Sequence, residues 1–146
     1  MIAIKKIDHI VLRSMHSEQL IKFYCQVLGC EIERRLPKDI GLVQLRAGDA
    51  LIDIVDVDSE IGRGGGKAPG KDGRNMDHFC VRLEAFDEDE IRAHLTRFNV
   101  KSSKLQTRYG AEGDGPSIYI KDPDGNTVEL KGVLSDAKPS IRSGHF

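Results

Sequence analysis

An α+β fold of two βαβββ modules is what this 146-residue sequence predicts, and three observations predict it. The run Ile7-Asp8-His9-Ile10-Val11-Leu12-Arg13 returns in kind as Met76-Asp77-His78-Phe79-Cys80-Val81-Arg82, with histidine third and arginine four places later. Each copy is followed by an amphipathic helical pattern and then by further strand-like runs. A glycine-rich stretch separates the copies, where a linker belongs. Internal repetition of this kind marks two copies of one supersecondary unit.

The elements follow in order. Ile7 to Arg13 reads as a first strand. Residues 17–28 carry Leu20, Ile21, Tyr24, Val27 and Leu28 on one helical stripe, with Ser17 as N-cap and Gly29 as stop. Strands are expected over 30–36, 40–46 and 50–57, because Pro37-Lys38-Asp39 and Gly48-Asp49 are turn chemistry. This makes module 1, residues 5–58. The linker spans 59–75. Module 2, residues 76–133, opens with a strand over 76–83. A helix follows over 87–98, with four acids in its first turn and Ile91, Leu95 and Phe98 as its buried stripe. Strands near 103–108, 116–121 and 126–131 complete it, and Asp122-Pro123-Asp124-Gly125-Asn126 is hairpin-turn sequence. The tail, 134–146, has no periodicity and reads as mobile or packed on a partner.

Bulk properties narrow the class. The chain has one domain's worth of residues, 31% of them charged, with a net charge of -1. No charge imbalance favours nucleic acid or an anionic membrane. No apolar run approaches bilayer length, and the first six residues lack the layout of a signal peptide. Three cysteines without CxxC spacing fit a reducing compartment, so a cytoplasmic protein is expected.

Four residues stand out chemically. Strand alternation puts His9 and Arg13 on one face, and likewise His78 and Arg82. Asp53 interrupts the apolar run Leu51-Ile52-Asp53-Ile54-Val55, and Glu129 lies opposite Val128 and Leu130. An acid in an apolar strand is costly unless it is paired, protonated or bound to a cation. Each module therefore offers a histidine on its first strand and a carboxylate on its last. Two imidazoles with carboxylates suit Zn, Ni, Co, Mn or Fe, and the residue types do not choose among these. The plainer alternative is a hydrogen-bonded strand histidine in each copy, with the acids paired to Arg13 or Arg82. Cys80 shares the His78 face, where it is either a cavity wall or a small packing residue. The glycine run 62–66 is no phosphate loop, since no strand feeds it and no GK[ST] ends it. It reads as linker or lid.

Three segments resemble the vicinal oxygen chelate superfamily, the glyoxalase and bleomycin-resistance fold. They are Asp8-His9-Ile10-Val11-Leu12, Phe23-Tyr24-Cys25-Gln26-Val27-Leu28-Gly29, and Ser117 through Leu130 with its Asp-Pro-Asp-Gly-Asn turn. The likeness covers about residues 5–133. It implies a curved mixed sheet around a metal cleft, with His9, His78 and Glu129 as the ligand triad. Asp53 falls on the position of a fourth ligand or general base. A homodimer is implied as well. The implied chemistry is that of a metal-dependent lyase or isomerase acting on a small oxygenated substrate.

Two subfamilies give different expectations. Arg13 falls on the glutathione-binding arginine of glyoxalase I, which makes it the candidate for an anionic substrate group. Val57 stands where that enzyme has an asparagine. The stretch Ala111 to Tyr119 resembles the loop of epoxide-opening fosfomycin-resistance proteins, and there Ser117 and Tyr119 match as substrate contacts. Tyr119 is also a candidate proton relay. Val11 replaces the threonine of the thiol-transferring members. The remaining expectation is a non-catalytic small-molecule-binding protein of the same fold, whose known examples lack the metal triad.

Overall fold

The computed structural model describes residues 1–136, and expectations for the tail from 137 onward lie outside the described residues. The described residues divide into two compact units, with the boundary between Arg74 and Asn75. Each has the predicted βαβββ order.

In the first unit, β1 (His9–Ser14) leads through α1 (Ser17–Gln26) to β2 (Glu31–Arg35), β3 (Leu42–Ala47) and β4 (Ala50–Asp56). The sheet order is β1-β4-β3-β2, with β1 parallel to β4 and the other pairs antiparallel. The parallel pair arises because the helix carries the chain back before β2 to β4 run as a meander. One sheet face, with Leu12, Val43, Leu45, Ile52 and Ile54, is buried and meets α1 through Leu20, Ile21 and Tyr24. The other face is set by register. Val11 lies beside Asp53, Gln44 lies opposite Asp53, and His9 and Arg13 flank Val11 on the same side.

In the second unit, β5 (His78–Arg82) is followed by α2 (Glu88–Arg97), β6 (Gln106–Gly110), β7 (Gly113–Lys121) and β8 (Thr127–Lys131). The order β5-β8-β7-β6 repeats that of the first sheet, with β5 parallel to β8. Ile118, Ile120, Val128 and Leu130 supply the buried face, and Leu95 and Phe86 are buried too. The opposite face carries His78, Cys80, Ser117, Tyr119 and Glu129.

Several local expectations need correction. The N-cap of α1 is His16, not Ser17, which is the first helical residue. The chain enters the helix through a different bond: the His16 amide donates to Ser14 Oγ at 2.9 Å. In α2 the acid run has a more specific use. Asp87 is the N-cap, and its carboxylate accepts from the amides of Asp89 and Glu90. Phe98 is not buried. It is 39% exposed at the C-cap, with its ring against His94 at a centroid distance of 5.1 Å. β6 begins at Gln106, later than the expected Ser103, since Ser102 makes only an isolated bridge to Ile120. Among the described residues no helix is long and apolar enough to cross a membrane.

Candidate metal centre

Each unit assembles a histidine and a carboxylate on the sheet face away from the buried helix side or apolar side. In the first unit, His9 opens β1 and Asp53 sits mid-way along β4. His9 Nδ1 donates to Asp8 Oδ1 at 2.7 Å. This bond raises the imidazole pKa above the ordinary histidine value, and the Asp53 charge adds to the effect. With Nδ1 held, Nε2 is the nitrogen left for a ligand. Asp53 is 3% exposed. Its Oδ2 accepts from Gln44 Nε2 at 3.1 Å, whereas Oδ1 is buried with no hydrogen-bond partner. A carboxylate oxygen removed from water without compensation is costly, and a cation is the natural compensation.

The second unit repeats the device with a tighter carboxylate. His78 Nδ1 donates to Asp77 Oδ2 at 2.7 Å, and its Nε2 lies 3.1 Å from Glu129 Oε1. The Asp77 bond, then the Glu129 charge, raise the His78 pKa. Glu129 is 6% exposed, and its other oxygen, Oε2, accepts from Ser117 Oγ at 2.5 Å. The Tyr119 ring stands edge-on to His78, at a centroid distance of 5.5 Å and an interplanar angle of 82°. Cys80 shares this face and is exposed.

Within either unit, among the described residues, no three His, Cys, Asp or Glu side chains converge on one point. Each unit supplies two donors. The donor chemistry nevertheless fits a divalent metal. Both histidines have Nδ1 fixed by a carboxylate, the outer-shell arrangement that orients a metal-binding imidazole and raises its basicity. Each carboxylate has one oxygen held from the neighbouring strand; the other is without a partner in Asp53 and paired with His78 Nε2 in Glu129. An imidazole nitrogen with a carboxylate oxygen is a donor pair that suits first-row metals.

The sequence expectations for the substrate side meet a different arrangement. The Arg13 guanidinium is wrapped by the glycine loop rather than left open. Its Nε and one terminal nitrogen donate to the Gly62 carbonyl at 3.3 and 3.0 Å. The same terminal nitrogen reaches the Gly66 carbonyl at 2.5 Å, and the other reaches Lys67 at 3.1 Å. The approach is close enough that a Cβ on Gly65 would lie 2.3 Å from Arg13 Nε. An anionic substrate group at Arg13 would therefore have to displace backbone carbonyls. Ser117, expected to touch substrate, is fully buried and donates to Glu129 instead.

The Arg13 clasp makes a direct prediction. Charged hydrogen bonds of this kind contribute about 1.5–3 kcal/mol each. In Arg13→Met, trypsin cleavage after Arg63 and Lys67 should accelerate about tenfold or more, each 1.4 kcal/mol being one factor of ten. Unchanged cleavage would mean that the loop is held by something other than Arg13.

Three residue types escaped the sequence reading. Asp8 and Asp77 precede the two histidines, and the repeated Asp-His dipeptide was the signal that could have found them. Gln44 carried no signal of its own, since only the β3–β4 register puts it opposite Asp53. Lys131 is buried, with its ammonium donating to the carbonyls of Gly113 and Gly132 at 2.9 and 3.1 Å.

Comparison with known proteins agrees with the fold. The family model described as the glyoxalase/bleomycin resistance protein/dioxygenase superfamily matches residues 6–130. Among solved structures, an integron cassette protein from V. cholerae is similar at a TM-score of 0.71 and 23% identity, covering 90% of this chain and 98% of that one. A lactoylglutathione lyase from Agrobacterium tumefaciens is similar at a TM-score of 0.62 and 23% identity, covering 87% and 92%. An antibiotic-binding protein from Streptomyces sp. gives 0.66 and 20%, covering 91% and 99%. At these identities the structural likeness speaks for the fold alone. The match of the family model over nearly all of the described chain decides membership: this protein belongs to the glyoxalase/bleomycin resistance protein/dioxygenase superfamily.

Proposed function

We propose that this protein is a divalent-metal-dependent enzyme, a lyase or isomerase acting on a small oxygenated substrate. His9, Asp53, His78 and Glu129 are the proposed ligands, and Zn, Ni, Co, Mn and Fe are all compatible with that donor set. The observation that carries the reading is the buried, unpartnered Oδ1 of Asp53. A neutral protein core tolerates such an atom poorly, and a binding cleft for apolar drugs has no use for it.

A bound divalent ion supplies Lewis acidity, which stabilises negative charge on a substrate oxygen. The chain's own groups then divide the remaining work. Asp53 and Glu129 are the carboxylates placed to accept a proton, each oriented by a neighbour through one oxygen. Asp8 and Asp77 keep the imidazoles in the tautomer that presents Nε2. Tyr119, whose ring stands beside His78, is the proposed polar contact or proton relay at the second pair. Arg13 serves the site from outside, holding the 62–67 loop on the His9 face of the first sheet.

The test is turnover with and without metal. Purified protein is offered hemithioacetals, epoxides and enolisable carbonyls after chelation, and again after reconstitution with Zn, Ni, Co, Mn or Fe. Turnover of one class that is lost on chelation and restored by metal is expected. Tight binding of a small molecule that survives chelation, with no turnover of any class, would replace this reading with a sequestering protein. Epoxide opening alone would put the chain with the fosfomycin-type enzymes.

A further inference from the structure

Both candidate carboxylates have one oxygen held by a donor on the neighbouring strand. Gln44, the register partner of Asp53 on the adjacent strand, donates Nε2 to Asp53 Oδ2 at 3.1 Å. The amide cannot be the other way round, because its Oε1 accepts from Arg34 Nε at 2.8 Å. In the second unit, Ser117 on the strand beside Glu129 donates Oγ to Oε2 at 2.5 Å, and Ser117 is fully buried. The remaining oxygens differ: Asp53 Oδ1 has no partner, and Glu129 Oε1 is paired with His78 Nε2 at 3.1 Å, the other candidate donor of its unit. A carboxylate with both oxygens free can turn, and can bind a metal through one oxygen or both. Tying one oxygen removes that freedom.

We infer that Gln44 and Ser117 are positioning residues, each holding one oxygen of its carboxylate, Asp53 or Glu129, and leaving the other oxygen for a metal. This rests on the reading of Asp53 and Glu129 as ligands. It goes beyond that reading by giving Ser117 a role other than substrate contact and by bringing Gln44 and Arg34 into the site. The two donors differ in chemistry, amide against hydroxyl, yet they occupy corresponding strands of the repeated unit. The carboxylates also differ in length by one methylene. Gln44 reaches the acid directly opposite it, whereas Ser117, paired in register with Lys131, reaches Glu129 across the diagonal.

The experiment compares Co2+ binding in the full-length wild-type chain, Gln44→Met, Ser117→Ala, Ser117→Thr, Asp53→Asn and Glu129→Gln. Affinity is read by competition with a chromophoric chelator, the visible Co2+ spectrum reports the coordination, and thermal unfolding is followed without metal. Loss of an outer hydrogen-bond partner typically costs about 10–100-fold in metal affinity. Gln44→Met and Ser117→Ala should each lose about that much and change the Co2+ spectrum, and Ser117→Thr should restore both. Wild-type affinity in Gln44→Met and Ser117→Ala, with binding lost in Asp53→Asn and Glu129→Gln, would overturn the positioning role alone. Weaker binding with an unchanged spectrum and a matching fall in metal-free unfolding temperature would also overturn it, as mere packing. Wild-type binding in Asp53→Asn and Glu129→Gln would overturn the ligand reading beneath it.

Discussion

Replacing Asp53 by asparagine should stabilise the metal-free protein and, at the same time, strip it of most of its affinity for metal. The side chain keeps its shape and its oxygen keeps the bond from Gln44, while an uncharged amide nitrogen replaces the charged oxygen at the position without a partner. The charge is relieved but a buried polar group without a partner remains, so the gain is at most about 1–3 kcal/mol. Metal affinity should fall by more than the about 10–100-fold that the loss of an outer partner costs. Unfolding curves with and without Co2+ separate the two effects, because a ligand that binds only the folded state raises Tm by mass action. Wild type should show a low metal-free Tm and a large metal-induced rise, and Asp53→Asn the reverse. A variant less stable than wild type without metal would identify Asp53 as a structural acid whose charge the fold requires.

The second large effect lies in the linker. Gly62→Ala should destabilise the first unit severely, because the added Cβ would stand 1.8 Å from the Asp56 carbonyl oxygen and 2.8 Å from Val57 Cα. Both neighbours are backbone at the end of β4, so relief requires the chain itself to move. The Gly62 carbonyl also accepts two bonds from Arg13, and the Gly62 amide donates to Ser59 Oγ at 3.1 Å. Overpacking of this kind costs about 1–3 kcal/mol and the upper end applies here. In a chain of this size that lowers Tm by about 6–12 °C. Gly64→Ala is the control. Nothing lies within 4 Å of its added Cβ, so its unfolding should match wild type. Equal stability of the two variants would contradict the packing argument.

Much of the fold was legible because it is written twice. The repeated Asp-His strand, the helix ending in Val27-Leu28-Gly29 and the Asp-Pro-Asp-Gly-Asn turn are local signals, and they recover the βαβββ order. Helix ends were less legible. Ser17 looks like a cap by residue type, but Ser14 Oγ takes the His16 amide, and the helix starts from His16. Phe98 fits the helical stripe, yet it falls at the C-cap, where the stripe turns outward.

In the site, Asp53 and Glu129 announced themselves as acids in apolar strands. What holds them did not. Gln44 is an ordinary strand residue until the β3–β4 register sets it against Asp53. Arg13 and the glycine run were both conspicuous, but about fifty residues separate them, and only folding joins the guanidinium to the carbonyls of Gly62, Gly66 and Lys67. The sequence displayed residue types, while the pairing of donors with acceptors depended on long-range geometry.

The central claim is that a metal binds these residues, and elemental analysis tests it most directly. Untagged wild-type protein and His78→Ala are each reconstituted with Zn, Ni, Co, Mn or Fe, desalted and analysed. About one metal ion per chain is expected in wild type, and its loss in His78→Ala, where the Nε2 facing Glu129 is gone. Retention of wild-type stoichiometry in His78→Ala, or no metal in either protein, would contradict it.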